Sequence, residues 1–361
     1  MDHDSGPNAN PGMPRKTQSP LHPKVSVIVP CFNEADTIEG LLDALYRQVG
    51  IAHLPQILVV DGGSSDGTRD MVKDYAAKHP GLDLRLVDNP KRTIPTALNL
   101  GLEVSEGDIL IRLDAHSAPA PDYIARCLDV LAQTGAANVG GVWRIQPGAD
   151  SWQARSIAAA AAHPFGAGDA RYRISGEAGP VETVPFGAFR RSWLEQVGPF
   201  DERLQSNEDY EMNVRLRQAG GLVWFDPSIV STYYARSTFG ALARQYARYG
   251  YWKARMLLRY PGTLRWRQAL PPLFVSSSLV LALLSLSSIV AARLLAVEWS
   301  VYGLALVGAG LQSAIARRRA GLLLGLPLAL AIMHLAWGAA FWAGLVHGLL
   351  KQGSRQENAA T

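Results

Sequence analysis

Cysteine is scarce in this chain of 361 residues, with Cys31 and Cys127 the only two. That excludes a disulfide scaffold and a cysteine-rich metal site, and predicts two reduced thiols. The start of the chain, MDHDSGPNANPGMPRKTQSP, is polar and has no apolar h-region of the kind a secretory signal needs. Residues 1–22 are therefore expected to be a disordered leader, and the domain behind them to stay in the cytoplasm. Internal repeats are missing, and so is any low-complexity tract beyond the leader. Charge itself nearly vanishes between Pro271 and Leu350, where only Arg293, Glu298 and Arg317 to Arg319 carry it. Such a stretch cannot belong to an ordinary soluble domain.

The uncharged runs Leu273–Ala292, Val301–Ala316 and Ala320–Leu350 predict a membrane module over 271–350 with three helices, at roughly 20 residues per span. A polar tail, 351–361, follows. If the first span exits and the second returns, Arg255, Arg259, Arg265, Arg267 and Arg317–Arg319 all lie inside, which leaves Lys351 and Arg355 outside. The expected location is the inner (cytoplasmic) membrane of a bacterium, multi-pass, with the soluble domain cytoplasmic. Ahead of the spans, 239–270 interleaves six arginines with tyrosine and tryptophan, as in Arg244, Tyr246, Arg248, Tyr249 and Trp252. This mixture predicts interfacial amphipathic helices on anionic headgroups. With a net charge of only +4 and its arginines gathered at that boundary, the chain is expected to bind membrane and no nucleic acid.

Upstream, strands alternate with helices. Val25–Val29, Ile57–Val60, Leu84–Val87 and Ile109–Leu113 are β-branched or apolar runs, separated by periodic segments through Tyr46, over Thr68–Lys78 and over Thr93–Leu102. The expected fold class is α/β, Rossmann-like, with a mostly parallel sheet and right-handed crossovers. Beyond Pro121 a helix over Tyr123–Gln133, strands at Ala137–Trp143 and Val181–Phe189, and helices at Ser192–Gln196 and Asn207–Ala219 are predicted. The glycine-bearing stretch Ile157–Ala178 reads as a mobile loop or crossing segment.

ILIRLDAH, Ile109–His116, delivers Asp114 and His116 to the carboxyl end of a strand, the rim where open α/β sheets bind ligands. An isolated Asp-x-His is equally a turn cap followed by a surface imidazole. As a metal pair it would neutralise a donor diphosphate, and the imidazole favours Mn²⁺ over Mg²⁺. On the same edge stand Pro30-Cys31-Phe32-Asn33-Glu34, Asp61 and Asp66. Their carboxylates suit a uracil N–H or a ribose hydroxyl, and the glycines between Asp61 and Asp66 allow close backbone approach. Helix capping and a surface turn are the structural alternative. Glu208-Asp209 opens a helix, where the dipole alone accounts for acids; the functional reading is a general base for an acceptor hydroxyl.

Together VSVIVPCFNE, ILVVDGGSSDGT, ILIRLDAH, VPFGAFRR and SNEDYEMNVRLRQAG resemble, in order and spacing over Val25–Tyr251, the inverting family 2 glycosyltransferases of the GT-A fold. The RLDAH variant, the HPFGAGDARYR segment and the membrane tail are most similar to the succinoglycan-type glucosyltransferases of exopolysaccharide synthesis. The resemblance implies a GT-A catalytic domain over 23–238. Glu34 and Asp61, with Pro30 and Asn33 beside them, would hold the nucleoside, and Asp66 would support their loop. Asp114 and His116 would bind the metal, Mn²⁺ or Mg²⁺, and the diphosphate; Asp209 would be the base, assisted by Glu208. Three positions depart from the family pattern: His116 replaces a second Asp, Asp61-Gly62-Gly63 replaces Asp-Asp-Gly, and Tyr249 replaces Trp in a Gln-x-x-Arg-Trp motif whose arginine, Arg248, is a candidate for the donor diphosphate.

The expected activity is addition of a single hexose from a nucleotide sugar, UDP-glucose or a related UDP-sugar, to a polyprenyl-diphosphate-linked saccharide. Other polysaccharide-assembly proteins are candidate partners. A polyprenyl-phosphate sugar synthase is the near alternative, and a non-catalytic membrane-bound nucleotide-sugar sensor the alternative of a different class. His163–Arg173 is a candidate loop that orders over donor or acceptor.

Overall fold

The computed structural model describes residues 23–360, so the leader expected at 1–22 lies outside the described residues. Four parallel strands with intervening helices open the chain: β1 (Val25–Cys31), α1 (Ile38–Tyr46), β2 (Gln56–Asp61), α2 (Thr68–Lys78), β3 (Leu84–Asp88), α3 (Ile94–Val104) and β4 (Ile109–Arg112). They lie in the order β3-β2-β1-β4. Every residue of β2 and β4 is buried, because both faces are covered by helices. On one face α1 contributes Ile38, Leu41, Leu42 and Leu45 at helical spacing, and on the other α3 contributes Ala97 and Leu98.

The remainder of the domain comprises β5 (Ala118–Pro119), α4 (Tyr123–Thr134), β6 (Asn138–Pro147), α5 (Trp152–Ala161), α6 (Pro164–Ala167), α7 (Arg171–Ile174), β7 (Gly179–Pro180), β8 (Ala188–Arg190), α8 (Arg191–Val197), α9 (Glu208–Gln218) and β9 (Val223–Ala235). The sheet changes character here. β8 is antiparallel to both β4 and β6, so the parallel half predicted from sequence continues into a mixed sheet. The strand expected over Val181–Phe189 shrinks to β8 preceded by the two-residue β7. The stretch Ile157–Ala178, read as a mobile loop or crossing segment, begins inside α5 and carries α6 and α7. Alanines 158 to 160 are buried against the C-terminal apolar helices, and small side chains at that contact explain why apolar periodicity was weak.

After β9 come α10 (Phe239–Arg259), α11 (Trp266–Leu284), α12 (Ile289–Arg317) and α13 (Leu322–Ala360). Among the described residues three helices are long and apolar enough to cross a membrane: Trp266–Leu284, Ile289–Arg317 and Leu322–Lys351. Leu279, Leu304 and Leu324 point outward from them, a face suited to lipid rather than water. The first two spans differ from the expected ones, because a turn at Ser285–Ser288 divides Leu273–Ala292. Ser288 accepts a hydrogen bond from the Ala291 amide and starts α12, and a serine turn leaves no mark in a charge count. α10 does not simply lie on headgroups. Leu242, Tyr246, Gly250, Ala254 and Met256 are buried, and a Cβ at Gly250 would collide with the Trp337 carbonyl of α13, as one at Gly344 would with the Tyr251 carbonyl. Glycines thus let the two helix backbones approach closely.

Candidate functional site

β1 and β2 end side by side, with Cys31 level with Asp61, and the chain leaving each turns over the same rim. Asp61 is fully buried. Its Oδ1 accepts hydrogen bonds from the Gly63 amide (2.9 Å), the Ser64 amide (3.0 Å) and Arg69 (2.8 Å), and its Oδ2 from the Ser64 hydroxyl (2.5 Å). Burial works to raise this carboxyl's pKa, but the hydrogen bonds outweigh it and hold the group below its usual range. Asp61 therefore organises its loop; in this arrangement its oxygens do not face open space. Asn33, at φ 53°, joins that loop to the end of β1. Its amide donates to the Ser64 hydroxyl (2.8 Å) and its Oδ1 accepts from the Ser65 amide (2.9 Å). Asp66 accepts from the amides of Ala35 (3.0 Å) and Thr68 (3.1 Å), and the Glu34 amide donates to the Thr68 hydroxyl (2.9 Å). The segment from Pro30 to Glu34 and the Asp61–Asp66 loop form one edge.

That edge continues into Asp114 and His116, on the segment after β4. His116 Nδ1 lies 3.0 Å from Glu34 Oε1, and the other Glu34 oxygen accepts from the Thr37 hydroxyl at 2.7 Å. The Glu34 hydrogen bond raises the imidazole's pKa against the effect of burial. On the carboxylate, burial works upward, but His116 and Thr37 prevail and lower it. Asp114, whose side chain is 27% exposed, meets Arg112 at 3.2 Å, and the same guanidinium reaches Glu208 at 2.8 Å. Burial opposes the charge on Arg112, yet Asp114, Glu208 and Asp209 together raise its pKa. Burial pushes the Glu208 carboxyl upward against the pull of Arg112. Glu208 and Asp209 occupy the first turn of α9, entered through Asn207 in the left-handed conformation.

The residues present fit a divalent cation of the kind that keeps substrate oxygens in its shell. Among the described residues no group of three or more His, Cys, Asp or Glu side chains is gathered to hold a metal. Asp114 and the free Nε2 of His116 offer two ligands, leaving the remaining positions to phosphate and water. A carboxylate on the other imidazole nitrogen, as Glu34 is, commonly orients a ligating histidine. Two buried donors beside this pair, Arg112 Nε and Asn207 Nδ2, have no hydrogen-bond partner among the described residues.

A cavity of about 740 Å³ unites these groups. Its lining combines Arg112, Asp114, His116, Glu208 and Asp209 of the sheet domain with Trp266, Phe274, Tyr302, Met333 and Trp337 of the apolar helices. Arg248 also lines it, 6.0 Å from the Tyr249 ring centroid and without an ion pair among the described residues. The cavity does not touch Pro30, Asn33, Glu34, Asp61 or Asp66, which lie along the adjoining edge. The His163–Arg173 segment forms part of the cavity wall and is already tied down: His334 Nε2 meets the Phe165 carbonyl at 2.8 Å, and Arg173 donates to the Tyr246 hydroxyl at 2.9 Å. Sequence reasoning missed Arg112, Arg173 and Arg236. Arg112 had a signal, since a charged residue inside the apolar run ILIR is seldom buried without a partner.

Comparison with known proteins identifies the family of the chain. The family model described as glycosyl transferase family 2 matches residues 26–198. The succinoglycan biosynthesis protein ExoA of Rhizobium meliloti is 32% identical over 89% of this chain and 94% of its own. A Methanococcus voltae protein, dolichyl N-acetyl-alpha-D-glucosaminyl phosphate 3-beta-D-2,3-diacetamido-2,3-dideoxy-beta-D-glucuronosyltransferase, is 26% identical over 90% and 98%. Among solved structures, the mannosyltransferase PcManGT from Pyrobaculum calidifontis, in complex with GDP-Man and Mn²⁺, superposes with a TM-score of 0.59 at 25% identity, covering 87% of this chain and 88% of that one.

Proposed function

Because the chain belongs to glycosyl transferase family 2, we propose that it moves one hexose from a nucleotide sugar, UDP-glucose or a related UDP-sugar, to a polyprenyl-diphosphate-linked saccharide in exopolysaccharide synthesis. The observation that carries this is the shared cavity, in which acidic residues of the sheet domain and apolar residues of the long helices line one space of about 740 Å³. Two water-soluble substrates would have no use for a reaction chamber walled by such helices. The Methanococcus voltae relative, named for transfer to a dolichyl-linked sugar phosphate, supports the acceptor class.

In this reading residues 23–238 are the catalytic domain, 239–270 an interfacial segment and 271–350 the membrane module, with the active site on the cytoplasmic face of a bacterial inner membrane. The rim made by Pro30, Asn33 and Glu34, shaped by Asp61 and Asp66, receives the nucleoside. Asp114 and His116 hold Mn²⁺ or Mg²⁺, which when bound neutralises charge on the leaving diphosphate. Arg248 adds permanent positive charge toward the same group. Asp209 takes the proton from the acceptor hydroxyl as that oxygen attacks the sugar from the face opposite the diphosphate, which inverts the anomeric carbon. Glu208, fixed by Arg112, sets the position of that turn.

The test is to incubate membranes containing the protein with radiolabelled nucleotide sugars, GDP-mannose among them, with and without Mn²⁺ or Mg²⁺, and to identify the labelled lipid. Label on a lipid-linked saccharide from a UDP-hexose is expected; label on bare undecaprenyl phosphate alone would overturn the reading.

A further inference from the structure

Arg173 projects from α7 into the cavity. Its guanidinium donates to the Tyr246 hydroxyl at 2.9 Å and lies 5.7 Å from the Trp143 ring centroid and 5.5 Å from that of Tyr172. Among the described residues it has no carboxylate partner. Arginine cannot shed its charge, and Arg173 is half-buried in the cavity wall, where a charge without a counter-ion is less well solvated than in open water. On the same wall Arg112 is paired with Asp114 and Glu208 and Arg267 with Asp169 and Glu182, whereas Arg248, like Arg173, has no ion pair among the described residues.

Arg173 is anchored on the side of the apolar helices through its hydrogen-bond acceptor. Tyr246, its hydrogen-bond acceptor, belongs to the apolar cluster that joins α10 to α12 and α13 through Leu306, Leu330 and Met333. Behind the guanidinium, Trp143 stacks on Tyr233 with centroids 4.3 Å apart. A fixed positive charge in an aromatic chamber, opening toward apolar helices, matches an anion carried on a hydrocarbon chain.

We infer that Arg173 binds the diphosphate of a prenyl-linked acceptor, at a site distinct from the donor-diphosphate site of Asp114 and His116. The prenyl chain runs from it along Phe274, Leu306 and Met333 toward the membrane. This inference rests on the lipid-linked acceptor reading above, and it describes binding, with no bond made or broken at Arg173.

The experiment measures binding of farnesyl diphosphate to the full-length protein in detergent micelles by titration calorimetry, with UDP and Mn²⁺ saturating the donor site. Farnesol and inorganic pyrophosphate are the comparison ligands. Arg173→Gln is expected to weaken farnesyl diphosphate about tenfold to a hundredfold, the value of a charge-assisted hydrogen bond, while farnesol is indifferent to the substitution and UDP affinity stays within about twofold of wild type. Arg173→Lys, which keeps the charge and loses the fork, falls between and decides the matter if the glutamine variant fails to fold. Unchanged farnesyl diphosphate affinity in these variants, or an equal loss for UDP, overturns the assignment; pyrophosphate bound as tightly as farnesyl diphosphate overturns the lipid part of it. If the wild type labels a lipid-linked saccharide while Arg173→Gln binds farnesyl diphosphate normally, only this inference fails. If the wild type labels no such lipid, the function reading fails instead.

Discussion

Arg112→Met removes the charge that joins Asp114, of the proposed metal pair, to the helix of the proposed base. Methionine retains much of the side chain's length, so the perturbation is loss of the contacts to Glu208 at 2.8 Å and Asp114 at 3.2 Å. Glu208 is 4% exposed and would remain as an uncompensated buried carboxylate, at a cost of about 3–5 kcal/mol when ionised. Asp114 is more open to water, so its share is small. Burial already raises the Glu208 pKa, and without Arg112 it rises further. A carboxyl whose folded pKa exceeds its unfolded value of about 4.3 contributes fully below that value and loses its contribution as pH climbs through the folded pKa. Arg112→Met should therefore melt close to wild type near pH 5 and well below it at pH 8. Adding Glu208→Gln should restore most of the loss at pH 8, because no buried charge is left. The assay is thermal unfolding of the full chain in detergent, followed by tryptophan fluorescence at a fixed scan rate; midpoints are ranked, since such a chain need not melt in one step. An equal drop at both pH values, or no recovery in the double variant, would refute the argument.

Asp209→Asn should lower sugar transfer by about 10²–10⁴ and leave UDP affinity unchanged; a variant with normal transfer would remove the base from the mechanism. His116→Ala should raise the Mn²⁺ concentration needed for half-maximal transfer by about tenfold or more while the melting midpoint holds, and superimposable metal titrations would count against His116 as a ligand. Gly250→Val drives a side chain into the Trp337 carbonyl and should cost about 1–3 kcal/mol, seen as a lower midpoint; a midpoint equal to wild type would show that α10 and α13 are not closely apposed.

The first half of the domain was legible because its signals are local. β-branched runs, polar turns and helical periodicity from Val25 to Arg112 each involve fewer than a dozen neighbouring residues, and the observed elements follow them closely. β9 was not legible. Its 13 residues include Asp226 and Pro227, and the pairing with β6 shifts register there, so alternation is broken at the centre of the strand. At the site, residue types marked the rim but not the number of donors converging on each acid. Asp61 and Asp66 carry the same charge in one short loop, yet Asp61 is enclosed by four hydrogen bonds and Asp66 sits at the surface capping α2. Tertiary pairing decides that difference. Arg173 was hidden for the same reason, since its meaning lies in the absence of a nearby carboxylate, which only a packed structure reveals.

The ionic contacts form a path from the rim at Glu34 to the first of the long apolar helices. His116 on the segment after β4 meets Glu34 after β1, Arg112 of β4 meets Glu208 of α9, and Arg265 and Arg267 at the start of α11 hold Asp169 and Glu182. Each link joins an element of the domain to one that follows it by at least 80 residues of chain, so none forms until the later segment has docked. The last of these links lies at the mouth of the first spanning helix. Asp169 and Glu182 flank α7 in sequence, and α7 carries Arg173 into the cavity. Seating α11 therefore fixes the segment that places Arg173, while α13 supplies Met333 and Trp337 to the cavity wall. The acidic lining of the cavity belongs to the sheet domain, but the chamber as a whole exists only when the apolar helices are in place. A transferase built this way couples the completeness of its proposed acceptor pocket to the docking of its apolar helices.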